Sequence, residues 1–167
     1  INVLNISEHT GVNEVHLHPS DPDTILASTY QRRRHVWTLI NGGPESGIYK
    51  SDNGGNSWRK IHEGIPGGDL GRIGMDISPA DPNVVYAIIE LPENKGGVWR
   101  SSDRGETWEK RSDYITSSPQ YYNELVCDPT DPNHVYALDT FLMESYDGGR
   151  NFRRVRNTNR HVDDHAL

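Results

Sequence analysis

The octet Ser101-Ser102-Asp103-Arg104-Gly105-Glu106-Thr107-Trp108 recurs twice. Ser51-Asp52-Asn53-Gly54-Gly55-Asn56-Ser57-Trp58 lies upstream and Ser145-Tyr146-Asp147-Gly148-Gly149-Arg150-Asn151-Phe152 downstream. All three read S-x-D/N-x-G-x-S/T/N-W/F, the wording of a tight hairpin turn. Asp or Asn accepts hydrogen bonds from backbone N–H groups just ahead, Gly takes the positive φ that other residues resist, and the aromatic anchors the returning strand. A turn repeated on every unit is a folding device, so Ser51, Asn53, Gly55, Trp58, Ser101, Asp103, Gly105, Trp108, Ser145, Asp147, Gly149 and Phe152 are read as structural.

A second signal runs in phase with the first. His18-Pro19-Ser20-Asp21-Pro22-Asp23, Ser78-Pro79-Ala80-Asp81-Pro82-Asn83 and Asp128-Pro129-Thr130-Asp131-Pro132-Asn133 share P-x-D-P-D/N, where proline forbids helix and Asp-Pro initiates turns. These turns stand 60 and 50 residues apart (81 − 21 and 131 − 81), and the octets 50 and 44 (101 − 51 and 145 − 101). Short alternating segments flank them and read as strands: 12–17, 24–30, 47–51 and 57–61; 72–77, 84–90, 97–101 and 107–110; 122–127, 134–138, 141–145 and 151–155. A four-stranded antiparallel sheet at about every 50 residues is the signature of a β-propeller.

The expected fold is therefore all-β, a partial β-propeller of about three four-stranded antiparallel blades, the octet joining third strand to fourth. The blades are expected at 11–62, 63–111 and 112–156. Residues 1–10 read as the tail of a preceding blade and 161–167, within 157–167, as the first strand of a further one. A ring usually takes about 4–8 blades, so the chain reads as a fragment, and an open solenoid of the same sheets is the alternative. The missing initiating Met fits a processed or truncated piece.

Composition agrees with strands and turns: hydrophobic residues make up 33%, with 16 Gly and 10 Pro among 167 residues. No apolar run approaches the roughly 18 residues of a membrane span, so no transmembrane segment is expected. A net charge of −7 argues against nucleic acid as a partner. Two basic clusters run against that charge, Arg32-Arg33-Arg34 in a long loop and Arg150, Arg153, Arg154, Arg156 and Arg160 near the C-terminal end. They are read as solvated or ion-paired, or as anion or partner contacts. The lone Cys127 is read as a buried hydrophobe on a strand, which leaves the compartment open.

The variable segments carry more functional information than the repeated ones. Residues 31–46 form a long insertion between second and third strands, holding Trp37 beside the three arginines. Trp37 suits stacking on a sugar, and equally suits plugging a neighbouring blade.

The octet resembles the Asp-box, or BNR repeat, with the second copy matching S-x-D-x-G-x-T-W throughout. Asn53 departs from it in the first copy and Asn151-Phe152 in the third. The chain is similar to sortilin-type propellers and to secreted bacterial proteins of the glycosyl-hydrolase-like or sialidase-like group. Its wording is nearest the bacterial group at Gly47-Ile48-Tyr49-Lys50-Ser51, Gly68-Asp69-Leu70-Gly71-Arg72-Ile73-Gly74, Pro119-Gln120-Tyr121-Tyr122-Asn123-Glu124 and His161-Val162-Asp163-Asp164-His165-Ala166-Leu167. The resemblance implies an extracellular, periplasmic or cell-surface location and a module binding a glycan or protein partner, or further blades of the same propeller. It also implies that the octets lie away from any catalytic funnel.

First strands line a propeller channel, and their leading ends rim one mouth. Aligning the units on Pro19, Pro79 and Pro129 places Asn13-Glu14, Ile73-Gly74 and Asn123-Glu124 at equivalent positions. The candidate site is Glu14, Glu124 and Asp164 as catalytic carboxylates, with Arg72, Tyr122, His165 and Trp37 as ligand-binding residues. Paired carboxylates suit glycoside hydrolysis, at about 5–5.5 Å for retention or about 6.5–9.5 Å for inversion. The same residues also suit plain hydrogen bonding around a water-filled channel. Sialidase chemistry would need an arginine trio of which only Arg72 can be placed. His161, Asp163 and His165 alternate along one strand face, but same-side Cα atoms about 6.6 Å apart do not converge on one metal. No metal and no cofactor is expected.

Overall fold

The computed structural model describes residues 2–156, 159 and 161–167. Arg160 of the C-terminal basic cluster lies outside them. The strands are β1 Thr10–His18, β2 Asp21–Arg34, β3 Leu39–Asn41, β4 Gly47–Ser51, β5 Arg59–Lys60, β6 Ile73–Ile77, β7 Val85–Ile89, β8 Gly97–Ser101, β9 Glu109–Ser112, β10 Glu124–Cys127, β11 Val135–Leu138, β12 Met143–Ser145 and β13 Arg153–Arg154. They form three antiparallel sheets in the orders β1-β2-β4-β5, β6-β7-β8-β9 and β10-β11-β12-β13, with β3 added to the end of β2. The first strands β1, β6 and β10 lie side by side.

The turns follow the chemistry of the octet. Buried Ser101 is the pivot: its Oγ donates to Asp103 Oδ1 (2.7 Å) and accepts the Gly105 N–H (2.9 Å). Asp103 Oδ1 accepts the N–H groups of Glu106 (3.1 Å) and Thr107 (2.9 Å). Ser51 with Asn53 and Ser145 with Asp147 repeat the lattice, the Gly N–H to Ser Oγ bonds measuring 2.9 and 3.0 Å. Gly55, Gly105 and Gly149 take φ of 84°, 80° and 81°, the left-handed region that favours glycine. The last two also pack against the preceding sheet: a Cβ at Gly105 or Gly149 would lie 3.0 Å from Leu26 or Val98.

Burial is shared between neighbouring sheets. Every residue of β7 is fully buried, and alternation along the strand divides its side chains between two cores. Val85, Ala87 and Ile89 join Leu26, Ile48, Ile73, Trp99 and Trp108 between the first and second sheets. Val84, Tyr86 and Ile88 join Val98, Leu125, Cys127 and Val135 between the second and third. Cys127 is thus buried on β10 as a small hydrophobe, and burial raises its thiol pKa.

Two sequence expectations need correcting. Arg32, Arg33 and Arg34 do not lie in a loop: they extend β2 to 14 residues and pair with Asn41, Ile40 and Leu39 of β3. Residues 161–167 contain no strand among those described. They lie against the turn after β11 instead, with the Asp163 N–H on Thr140 O (2.9 Å) and the Asp164 N–H on Asp139 O (3.0 Å). These backbone bonds run to a turn and not to a strand edge, so no ladder forms.

Replacing Ser101 by Ala strands the Gly105 N–H in a buried turn, so a loss of about 1–3 kcal/mol is expected by urea denaturation. An unchanged midpoint would refute the pivot role. In the third octet the Asn151 side chain, with backbone N–H groups and Ser145, outweighs desolvation and lowers the Asp147 pKa from 3.8 to about 2. A carboxyl depressed in the folded state stabilises it above the unfolded pKa and loses that contribution as pH falls toward the folded value. Stability lost between 3.8 and about 2 is therefore expected to shrink in Asp147→Asn, compared by urea midpoints at either end of that window. The effect is small because the carboxyl is solvated.

Candidate functional site

The octets and Asp-Pro turns occupy one end of each sheet, and the opposite end carries the starts of β1, β6 and β10. A bulge at Asn13 shifts the β1 register between Val12 and Glu14, re-aiming the following side chains as bulges do. Asn13 Nδ2 then reaches Ile73 O (3.1 Å), and Glu14 faces β6. The result is an open depression lined by Glu14, His16, Arg72, Glu124 and His165. Four of the expected site residues are brought together there.

Arg72 is the centre of the site. Its Nη2 donates to Glu124 Oε1 (2.6 Å) and its Nη1 to Tyr121 O (2.8 Å), while its backbone N–H donates to Glu90 Oε2 (2.9 Å). Burial raises the Glu90 pKa against the opposing pull of that N–H and of the Asn41 amide (3.1 Å). Burial and the Glu90 charge together lift Tyr30, which is hydrogen-bonded to Asn41, to about 12. A continuous polar chain Tyr30, Asn41, Glu90, Arg72, Glu124 thus crosses all three sheets. Arg72 Nε is buried without a hydrogen-bond partner among the described residues.

Glu14 is committed differently. Its Oε2 accepts the Met75 N–H (2.6 Å) and faces His16 Nε2 at 3.5 Å. Asp76 does the same one sheet further on, accepting the Cys127 N–H (2.7 Å). Burial raises the Asp76 pKa against that bond and the His16 charge. Each acid caps a backbone donor that β1, β6 and β10 do not offer one another as ladder partners. Gly74, aligned with Glu14 and Glu124, has no room for a side chain: a Cβ would sit 1.9 Å from Asn123 O.

The aromatic side of the site is a cluster of three rings. Tyr122 stacks on His165 (4.9 Å, 19°), and Tyr121 meets both edge-on at 5.6 and 5.3 Å. Tyr122 Oη donates to Asp163 Oδ1 (2.5 Å), and His165 Nε2 lies 3.1 Å from the same oxygen. That hydrogen bond lowers the Asp163 pKa and raises that of Tyr122. Asp163 holds φ of 90°, an unusual conformation for a residue with a side chain.

The remaining site residues lie apart from this depression. Asp164 is buried and lines a separate small cavity with Thr140, Leu142 and Arg154. Trp37 is 81% exposed on the β2–β3 hairpin and stacks on His35. Tyr121, Asn123 and Asp163 are not among the expected catalytic or ligand-binding residues, although Asn123 aligns beside Glu124, Tyr121 precedes Tyr122 and Asp163 is weighed only as a metal ligand. Among the described residues no three His, Cys, Asp or Glu side chains converge as a metal site. Nor is any helix long and apolar enough to cross a membrane.

No protein-family model matches the sequence, and no curated protein matches it. Solved structures do resemble it. The GH74 enzyme from Niastella koreensis aligns at TM-score 0.58 and 16% identity, over 89% of this chain and 23% of that one. The GH74 xyloglucanase from Xanthomonas campestris aligns at 0.61 and 20%, over 91% and 24%. YCF48 bound to D1 peptide aligns at 0.61 and 10%, over 90% and 41%. This chain is a β-propeller module. The likeness shows the fold alone, and the propeller module spans less than half the length of each of these chains.

The cap on the Met75 N–H yields a prediction. Glu14→Ala leaves that donor without its acceptor and is expected to destabilise the propeller by about 1–3 kcal/mol, whereas Glu14→Gln keeps an acceptor oxygen and loses less. Equal losses in urea denaturation would overturn the capping role.

Proposed function

We propose that the chain is part of an Asp-box propeller of a secreted or cell-surface protein, and that its channel mouth binds a glycan or a protein partner. The observation that carries this reading is the depression where Arg72 and Glu124 sit beside the Tyr121, Tyr122 and His165 rings. Stacked rings offer faces to sugars or side chains, and the ion pair offers donors and acceptors that fix orientation. The serine, Asx and glycine lattice of the turns supports the Asp-box reading, and the resemblance supports export.

A second reading is a glycoside hydrolase whose active site is only partly contained in this chain. It is favoured by the fold likeness to GH74 enzymes together with the two carboxylates in one open depression. Glu14 and Glu124 are then the acid/base candidates. Their present bonds, to a backbone N–H and to a guanidinium, are those of oriented acceptors.

Both readings are tested in the intact protein with a panel of soluble polysaccharides, xyloglucan included, and a peptide panel. Binding without hydrolysis, weakened about tenfold or more in Tyr122→Ala and His165→Ala, supports the module. Hydrolysis abolished by Glu124→Gln replaces it with the enzyme. Ligand affinities unmoved by either mouth variant would sink the proposed site.

A further inference from the structure

The β2–β3 hairpin carries three consecutive arginines on a chain of net charge −7. Arg59, Arg72, Arg111 and Arg153 each hold a carboxylate within 3.1 Å. Among the described residues the hairpin arginines have no such neighbour: Arg33 rests on the His9 ring nitrogens (2.8 and 3.1 Å), and neither Arg32 nor Arg34 forms an ion pair. Alternation along β2 puts Arg32 and Arg34 on one face, both lining one groove, and an anion between two like charges relieves their repulsion.

The hairpin is also apolar where it is most exposed. Val36 and Trp37 form its tip, and Leu39 and Ile40 are exposed on β3. Across a shallow groove from Arg32, Arg34, His35 and Leu39 stands Tyr121, itself 62% exposed. Arg, Trp and Tyr are the side chains that dominate protein-binding hot spots. A polyhydroxylated sugar ring matches Trp37 but leaves the aliphatic side chains and the unneutralised arginines without complements. A polypeptide that alternates carboxylates with apolar side chains matches all of them.

The geometry points to the β2–β3 hairpin as a docking arm for an acidic segment of a protein partner, with Arg32 and Arg34 taking its carboxylates and Trp37 packing on an apolar side chain between them. The arm rests on the reading of the mouth as a partner-binding face and adds a partner class and a separate set of residues. Its base is fixed to the propeller by the Gly43 N–H on Leu70 O (2.9 Å) and by Asn41 on Glu90, so the arm is presented at a set angle to the mouth.

The test is fluorescence anisotropy on the intact protein with a labelled peptide of about ten residues, rich in Glu and carrying one Leu. Charge-assisted contacts set the expected scale. Arg32→Ala/Arg34→Ala is expected to weaken binding at least about tenfold, Trp37→Ala about threefold, and Arg32→Lys/Arg34→Lys less than the alanine pair. Added salt is expected to weaken the wild-type complex. Thermal unfolding of each variant separates lost contacts from lost fold, since both arginines are exposed. No binding by the wild type, or equal binding by the alanine pair, overturns the proposal. So does an oligogalacturonate of equal charge that binds as tightly with the same arginine dependence, which assigns the arm to anionic glycans. Tyr122→Ala and His165→Ala in the same titration keep the two readings apart. Peptide affinity that survives those variants but not the arginine pair supports the arm even where the mouth site fails.

Discussion

One backbone hydrogen bond, made three times, sets the organisation of the chain. The fourth residue of each octet donates its N–H to the Asx carbonyl that ends the Asp-Pro turn: Gly54 to Asp23, Arg104 to Asn83 and Gly148 to Asn133, each at 2.9 Å. This bond ties the hairpin between third and fourth strands to the hairpin between first and second at the same end of the blade. With that end committed to two interlocked turns, variation is left to the other end. There the connection from second to third strand is a single 3-10 turn at Pro92–Asn94 in the second blade, a few residues in the third and a whole β-hairpin in the first. The site sits at this variable end.

Neighbouring blades meet along inner strands that share no backbone ladder, and the unused backbone donors and acceptors are capped by side chains. Glu14 and Asp76 supply carboxylates to the next blade, Asn123 donates to Arg72 O and Ile88 O, and Ser28 donates to Ile73 O. Buried polar groups cost stability unless satisfied, so part of the polarity of this channel is a structural requirement. That separates two kinds of carboxylate: Glu14 holds a backbone group, whereas among the described residues Glu124 meets only the Arg72 guanidinium, a group a ligand can compete for.

The fold was legible because its signals are local. Asp-Pro, Asx-x-Gly and Ser act within a few residues of themselves, so their spacing alone locates the blades and most strands. The β2–β3 hairpin was not legible: three arginines followed by His-Val-Trp show no alternation, and pairing there follows from the continuation of β2, not from an apolar face. The site was half legible. Aligning the units on the turn prolines singled out Glu14, Arg72, Tyr122 and Glu124, and the structure gathers them near the leading ends of the first strands because equivalent positions lie at the same end of each sheet. The Arg72–Glu124 and Tyr122–Asp163 contacts were not legible, because distances between separate sheets, and between a sheet and a segment outside it, have no local signature.

The same alignment explains where the apolar surface of the first blade points. Val15, Met75 and Leu125 are equivalent, as are Leu17, Ile77 and Cys127. Met75, Leu125, Ile77 and Cys127 are at most 7% exposed because the preceding blade covers them, whereas Val15 and Leu17 are 59% and 64% exposed. Their pairing with Ala27 and Ile25 puts them on one face of the first sheet, opposite the face that holds Glu14 and Leu26. That face has the pattern a neighbouring blade covers, and each Val or Leu so covered contributes about 1.5–3 kcal/mol. Blade stability is therefore relational: the second blade, flanked on both sides, carries the fully buried β7, and the flanking blades draw on it to hold the two halves of the mouth in place.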